Sequence, residues 1–470
     1  MTATQTAVPL HTLAPLLRGT VVLPADAEYD AARAVHNGMI DRHPAVIARC
    51  VDEVDVGRAV LFAREHALPV AVRGGGHNAG GLGVWDDALV VDLSGLRGVH
   101  LDRTDGTVLV QGGATWGDVD HVTVPAGRAV PSGLVSTTGV GGLTLGGGIG
   151  YLSRRYGLTV DNLLQAQVVL ADGSLVTTSE EEHPDLFWAL RGGGGNFGVV
   201  TSFRFRSHPV GEDGVILGGP VLYDSADAGA VMRWYREVLP ALPEEISGWL
   251  GMLRVPPGPP FPEGLWDRPV CGIVWCWTGA HDRGQEVLDE LATFGEPLLV
   301  GLHEMPFSQL QSAFDGLYPP GYQWYWKADF YDRITDEAVE THRQHGSRPP
   351  TALSTMHLYP VDGAVTRVAE DATAFPHRSG GWAGVIVGID PDPANRELIT
   401  RWSRDYWEAL RPSAAGGAYV NFLMEEGDDR VRAAYRSNYD RLARVKARYD
   451  PENVFRVNQN IPPATGETSR

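Results

Sequence analysis

Glycine is crowded into three short stretches of this chain, at 74–83, 139–150 and 192–198, and nothing else in the sequence restricts its fold as much. The chain has 57 glycines in 470 residues, and the clusters follow no repeat, so they build neither a fibre nor a flexible linker. They mark three turns where backbone must come close to something, which a residue without a Cβ permits. Successive N–H groups in such turns make a concave anion site without basic side chains. That matters in a chain with 58 acidic and 39 basic residues and a formal net charge of −19. Such a charge argues against nucleic acid or an anionic membrane as partner, since both need clustered Lys and Arg. An acidic protein that takes a phosphorylated cofactor must hold it mainly with main-chain amides.

AVIARC (45–50) reads as a buried strand, and EVDVGRAVLFAREH (53–66) places Val56, Ala59, Val60 and Ala63 at helical spacing. LPVAVR (68–73) is a second strand that runs straight into GGGHN. Further strands fall at 88–93, 99–102, 107–111 and 199–205, with a helix at 185–191. LLQAQVVLADGSLVTT forms a hairpin with Asp172–Gly173 in the turn. Near residue 212 the texture changes. Strand-like runs such as CGIVWCWTG and GWAGVIVGI alternate with helical stretches at 226–239, 283–294 and 393–410, and Pro-rich breaks fall at 255–264 and 318–321. DRVRAAYRSNYDRLARVKARY reads as one strong helix before DPENVFRVNQNIPP. The chain divides into a lead-in (1–40), a first domain (41–212), a second α+β domain (213–415) and a C-terminal segment (416–470). Cys50, Cys271 and Cys276 suggest no disulfide framework and no metal site; Cys271 and Cys276 read as small buried apolar residues. With no basic-then-apolar leader and no run near ~20 apolar residues, the expectation is a cytoplasmic protein without a membrane partner.

One G-x-G-x-x-G occurs, at Gly193, Gly195 and Gly198, but it follows a helix and precedes a strand, the reverse of the Rossmann order, and no P-loop is present. RGGGHN (73–78), STTGVGGLTLGGGIGYLSRRYGLTVDN (136–162), DLFWALRGGGGNFGVVTSF (185–203) and YDPENVFRVNQNIPP (449–463) resemble, in order and spacing, the berberine-bridge-enzyme-like flavoproteins. These belong to the vanillyl-alcohol-oxidase and para-cresol-methylhydroxylase superfamily. The resemblance covers roughly residues 40–210 and 416–463 and is much weaker between them.

The resemblance implies an α+β fold: a two-part FAD-binding domain of the para-cresol-methylhydroxylase type, plus an α+β substrate domain with an antiparallel sheet. It implies FAD joined covalently through His77 to the 8α-methyl carbon, a bond that needs a neutral imidazole nucleophile. Arg73, Gly74, Gly75, Gly76 and Asn78, with Ser136, Thr137, Thr138, Gly139 and Gly142, would wrap the pyrophosphate and flank the ring. Asn196, Gly198 and Val200 would lie along the adenine and ribose, and Asn458 and Asn460 would return to the isoalloxazine. Many members form a second link from a cysteine four residues before the GVGG run; that position is Val135, so none is implied. Thr138, just before GVGG, is small enough to leave dioxygen a path.

Removing hydride from a carbon is helped when a base takes the neighbouring O–H proton. The resemblance offers two positions for that base: a glutamate that some plant members place after a PFPHR-like segment, here Gly384, and the tyrosine of a Y-x-N pattern, here Tyr419 of AYVNF, which it implies as the catalytic residue. The aromatic run LYPPGYQWYWKADFY (317–331), Trp275 and Trp277 are candidates to floor a pocket, while Glu425 and Glu426 read as solvated acids. The expected function is an FAD-dependent oxidase taking hydride from a small organic substrate, an alcohol of a sugar or secondary metabolite, with dioxygen reduced to hydrogen peroxide. The alternative is an oxygenating enzyme of polyketide or other secondary-metabolite maturation.

Overall fold

A computed structural model describes residues 8–259 and 261–465; the first seven residues of the lead-in, Pro260 in the Pro-rich break and the last five residues lie outside it. Three large sheets organise the described residues, beside a two-stranded pair of Arg128–Ala129 and His208–Pro209. In the first, strands Val46–Arg49, Leu89–Asp92 and Val70–Arg73 run parallel, with Thr20–Val22 antiparallel at one edge. Helix Glu53–Glu65 makes the crossover that parallel strands require. Asp52 caps it by accepting from Asp55 N–H, and Val56, Ala59, Val60 and Ala63 are buried in the sheet's core.

The second sheet is antiparallel, in the order Val99–Leu101, Thr107–Gln111, Val199–Arg206, Leu163–Val169 and Leu175–Thr178. Gly173 takes φ +78° in the hairpin turn, a conformation that favours glycine. The C-terminal segment finishes this core: Tyr435, Leu442, Val445 and Ile461 pack in one cluster with Val108, Trp188 and Phe203.

The third sheet is built from antiparallel strands, including Val215–Asp224, Pro269–Trp277, Ile246–Arg254, Thr355–Pro360, Trp382–Asp390 and Gln323–Tyr331 in that order across it. Both faces are covered, so its strands read as continuous apolar runs. On Pro269–Trp277, residues Cys271, Ile273, Trp275 and Trp277 pack beneath helices Ala228–Val238, His281–Ala292, Asp336–Gly346 and Arg396–Leu410, whereas Val274 and Cys276 face the opposite way. Trp275 and Trp277 therefore fill the helix side of the sheet, away from the cavity on its other face. The single helix expected after residue 428 is in fact two, Asp428–Tyr435 and Tyr439–Tyr449, broken at Arg436 with φ +46°. The break lets buried Asn438 donate to the carbonyls of Glu370 and Thr373, a tertiary bond no local pattern announces.

Candidate active site

Strand Val70–Arg73 ends in the first glycine turn, and this turn meets the second backbone to backbone. A Cβ on Gly75 would lie 2.6 Å from Gly139 Cα, and one on Gly139 would lie 2.5 Å from Gly75 N. Both positions exclude every side chain. Gly194 N–H donates to Leu145 O at 2.9 Å, which joins the third turn to the second. Asn458 Nδ2 donates to Gly195 O at 3.1 Å, and Ile461 N–H donates to Asn196 Oδ1 at 2.9 Å, which joins the C-terminal segment to the third. Behind that seam Lys446 Nζ donates to Asn196 O (2.6 Å), Asp450 Oδ2 (2.6 Å) and Phe455 O (2.9 Å), and both side chains of the pair are 0% exposed.

These segments and the third sheet enclose a cavity of about 360 Å³. Among the described residues of its wall there is no Asp, Glu, Lys or Arg. The helix Val140–Gly146 begins at Gly139 without a side-chain cap; Val140 N–H donates to Ala114 O at 2.9 Å, and the amides of Gly141 and Gly142 remain available. A Cβ on Gly142 or Gly195 would meet nothing within 4 Å. Asn458 Oδ1 and Asn460 Oδ1 are buried without a hydrogen-bond partner, an arrangement that asks for a further donor. Free amides, open glycine faces and unpaired amide oxygens fit an elongated dinucleotide whose phosphates are held by main-chain dipoles.

His77 lies on this wall, its ring stacked on His36 at 4.1 Å with 23° between planes. Burial, with His36 beside it, lowers its pKa to about 3, so the imidazole is neutral and nucleophilic across the physiological range. His36 in turn stands 5.0 Å from Trp324, and Asn37 Nδ2 donates to Ala79 O (2.7 Å) and Trp324 O (3.1 Å). The lead-in thereby ties the first glycine turn to the third sheet.

Tyr419 is also on the wall, and its Oη accepts from Gly148 N–H at 2.7 Å and from Asn421 Nδ2 at 2.8 Å. Burial pushes the hydroxyl up to about 12 despite those donors, which favour the anion. Tyr318, Trp324, Trp326, Thr355, His357, Tyr359, Val385, Val387, Ile389 and Phe422 also line the cavity.

Of the residues singled out from sequence, Gly74, Gly75, His77, Asn78, Thr138, Gly139, Gly142, Asn196, Gly198, Val200, Tyr419 and Asn458 line the cavity, as does Val135. Arg73, Gly76, Ser136, Thr137 and Asn460 are not on the wall. The Arg73 guanidinium turns to buried Asp92 (2.5 Å) and Ala32 O, and Ser136 Oγ donates to Asp315 (2.5 Å). Gly384 faces the ring of Tyr331 on the helix side of the sheet, so its position is not a cavity position. Glu426 is not solvated: its side chain is 4% exposed and pairs with Lys327 (3.1 Å) and Arg430 (3.2 Å). It clamps the C-terminal segment to strand Gln323–Tyr331, whereas Glu425 stays exposed and pairs with Arg42. His36, His357, Tyr359 and Lys446 were missed from sequence. The alternation of TMHLYP (355–360), which puts three polar groups on one strand face, was the only local signal for any of them.

Residues 44–179 match the FAD binding domain family, and residues 418–462 match the family described as berberine and berberine like. The chain is 42% identical over 481 residues to the FAD-linked oxidoreductase pgmH of Aspergillus terreus, covering 95% of this chain and 94% of that one. It is 31% identical over 472 residues to a xylooligosaccharide oxidase of Thermothelomyces thermophilus (93% and 91% covered). The crystal structure of 6-hydroxy-D-nicotine oxidase from Arthrobacter nicotinovorans matches with a TM-score of 0.85 at 25% identity, over 95% of this chain and 98% of that one. Among the described residues no helix is long and apolar enough to cross a membrane.

Proposed function

The chain belongs to the berberine-bridge-enzyme-like family of FAD-linked oxidoreductases, and from that premise we propose that it is an oxidase of a small alcohol, of a sugar or secondary metabolite, with dioxygen as electron acceptor and hydrogen peroxide as product. One observation carries the reading: a single cavity without charged side chains is lined together by the three glycine stretches, neutral His77, Tyr419 and an aromatic wall. Bound FAD supplies the hydride acceptor.

The amides and small side chains of Gly74, Gly75, Asn78, Gly139, Gly142, Asn196, Gly198 and Val200 would hold the dinucleotide, with Asn458 closing over it from the C-terminal segment. His77 would carry the one covalent bond to the flavin, since Val135 offers no second nucleophile. Tyr419, once ionised, takes the substrate hydroxyl proton. Gly148 N–H and Asn421 Nδ2 donate to its oxygen and favour the ionised form that accepts the proton. Thr138 on the cavity wall leaves space for dioxygen. Acid denaturation of the purified protein tests the premise: the yellow colour stays with the chain, and His77→Ala releases it. A colourless chain that takes up no FAD on reconstitution refutes the reading. Peroxide formed one-for-one with substrate oxidised, in an oxygen-electrode assay, tests the acceptor.

A further inference from the structure

Strand Thr355–Pro360 points Thr355, His357 and Tyr359 at the cavity, while Met356 and Leu358 pack under the helices. The three polar groups form one chain. Tyr359 Oη lies 2.6 Å from His357 Nδ1, His357 Nε2 lies 3.0 Å from Thr355 Oγ1, and Thr355 Oγ1 donates to Met252 O at 2.9 Å. A carbonyl only accepts, so the single Thr355 proton lies toward Met252, and Thr355 Oγ1 must accept from His357 Nε2–H. Burial keeps this imidazole neutral, with its pKa lowered to about 3, which leaves Nδ1 a bare lone pair. The Tyr359 proton is therefore committed to Nδ1, and toward the cavity Tyr359 Oη offers lone pairs alone.

Tyr419 has the opposite polarity. Gly148 N–H and Asn421 Nδ2, which also donates to Leu143 O at 3.0 Å, can only donate, so a protonated Tyr419 must direct its own proton away from both. One tyrosine of the site is thus an acceptor and the other, in its protonated form, a donor. The wall around them is aromatic, with Trp324 and Trp326 edge to face at 6.1 Å. Its lack of ionised groups leaves a ligand carboxylate or ammonium desolvated and unpaired.

We propose that the substrate is a neutral, flat molecule with a second hydroxyl or N–H besides the alcohol that is oxidised. That second group donates to Tyr359 Oη, and the carbonyl left by oxidation accepts from protonated Tyr419. This rests on the oxidase reading of the same cavity and adds to it the substrate class. A hydroxyaryl ketone, which mimics the product, is therefore the complementary ligand of the resting enzyme.

The holoenzyme, its bound flavin verified from the visible spectrum, is titrated at about pH 6, where a phenol stays protonated. The ligands are an acetylnaphthol with its two groups on separate rings, the methyl ether of that compound, and the corresponding acetylnaphthoate; the perturbed flavin absorbance reports binding. The acetylnaphthol binds about tenfold tighter than its ether, the worth of one hydrogen bond, and the acetylnaphthoate about a hundredfold more weakly or not at all. Tyr359→Phe erases the preference for the free phenol. His357→Leu removes the acceptor of the Tyr359 proton and frees that hydroxyl to donate to the ether oxygen, so the preference for the free phenol shrinks to under about threefold while both ligands still bind, an outcome that loss of packing alone does not produce. Equal binding of phenol and ether by the wild-type holoenzyme, a preference that survives Tyr359→Phe, or one left unchanged by His357→Leu overturns the proposal while the oxidase reading stands. A chain that holds no flavin fails at that reading instead.

Discussion

Lys446→Met tests how the C-terminal segment is held against the third glycine turn. The ammonium makes three hydrogen bonds, to Asn196 O, Asp450 Oδ2 and Phe455 O, at a site with no exposure. Methionine keeps the volume and removes all three. Asp450 retains Val454 N–H (2.8 Å) and Phe455 N–H (2.9 Å) but becomes a buried carboxylate without its cation, and two carbonyls lose a donor. Breaking one side of a buried pair costs about 3–5 kcal/mol, so about 4 kcal/mol is expected. With an unfolding entropy near 2 cal/mol/K per residue over 470 residues, Tm falls by roughly 4 °C. Urea unfolding followed by flavin fluorescence measures the loss, together with the FAD content of the purified variant, because Asn196 lies on the cavity wall. Asp450→Asn should cost a similar amount, and the double variant should cost less than the sum of the two by at least about 1 kcal/mol. If Lys446→Met costs under about 1 kcal/mol and FAD content is unchanged, the seam is not what holds the third turn in place.

Gly139→Ala drives a methyl to 2.5 Å from Gly75 N, so the two turns separate; FAD content read from the ratio of visible to ultraviolet absorbance should fall at least about tenfold. Tyr419→Phe should lower kcat/KM by about 10²–10⁴. Because the wild-type hydroxyl ionises only near about 12, the wild-type rate should climb about tenfold per pH unit across the neutral range, and the variant should lose that slope. The same shift acts on stability. Tyr419 has its folded pKa raised above about 10 for the unfolded chain, so its contribution is full below pH ~10 and is lost as pH rises toward about 12; in Tyr419→Phe the alkaline loss of stability should be smaller. Glu426→Gln leaves Lys327 without its buried carboxylate, while Arg430 keeps buried Asp329 at 3.0 Å, and should cost about 3 kcal/mol in urea unfolding.

The sequence by itself determined the features that depend on backbone geometry or on local period. A glycine is required wherever two main chains touch, so the turns that meet at Gly75 and Gly139 were visible as residue types before any fold was known. Alternation and helical spacing located the strands and the crossover helix Glu53–Glu65 in the same way. Tertiary structure decided which chemistry each polar side chain can do. His36 reaches His77 from 41 positions earlier in the chain, and Glu426 is buried because Lys327 and Arg430 come to it. The helix after residue 428 breaks because Asn438 finds carbonyls near residue 370. The polarity of Tyr359 is set by the Met252 carbonyl on a neighbouring strand. Protonation state and hydrogen-bond direction follow from partners and desolvation, and those are distributed by the fold across residues far apart in the chain, where no local pattern records them.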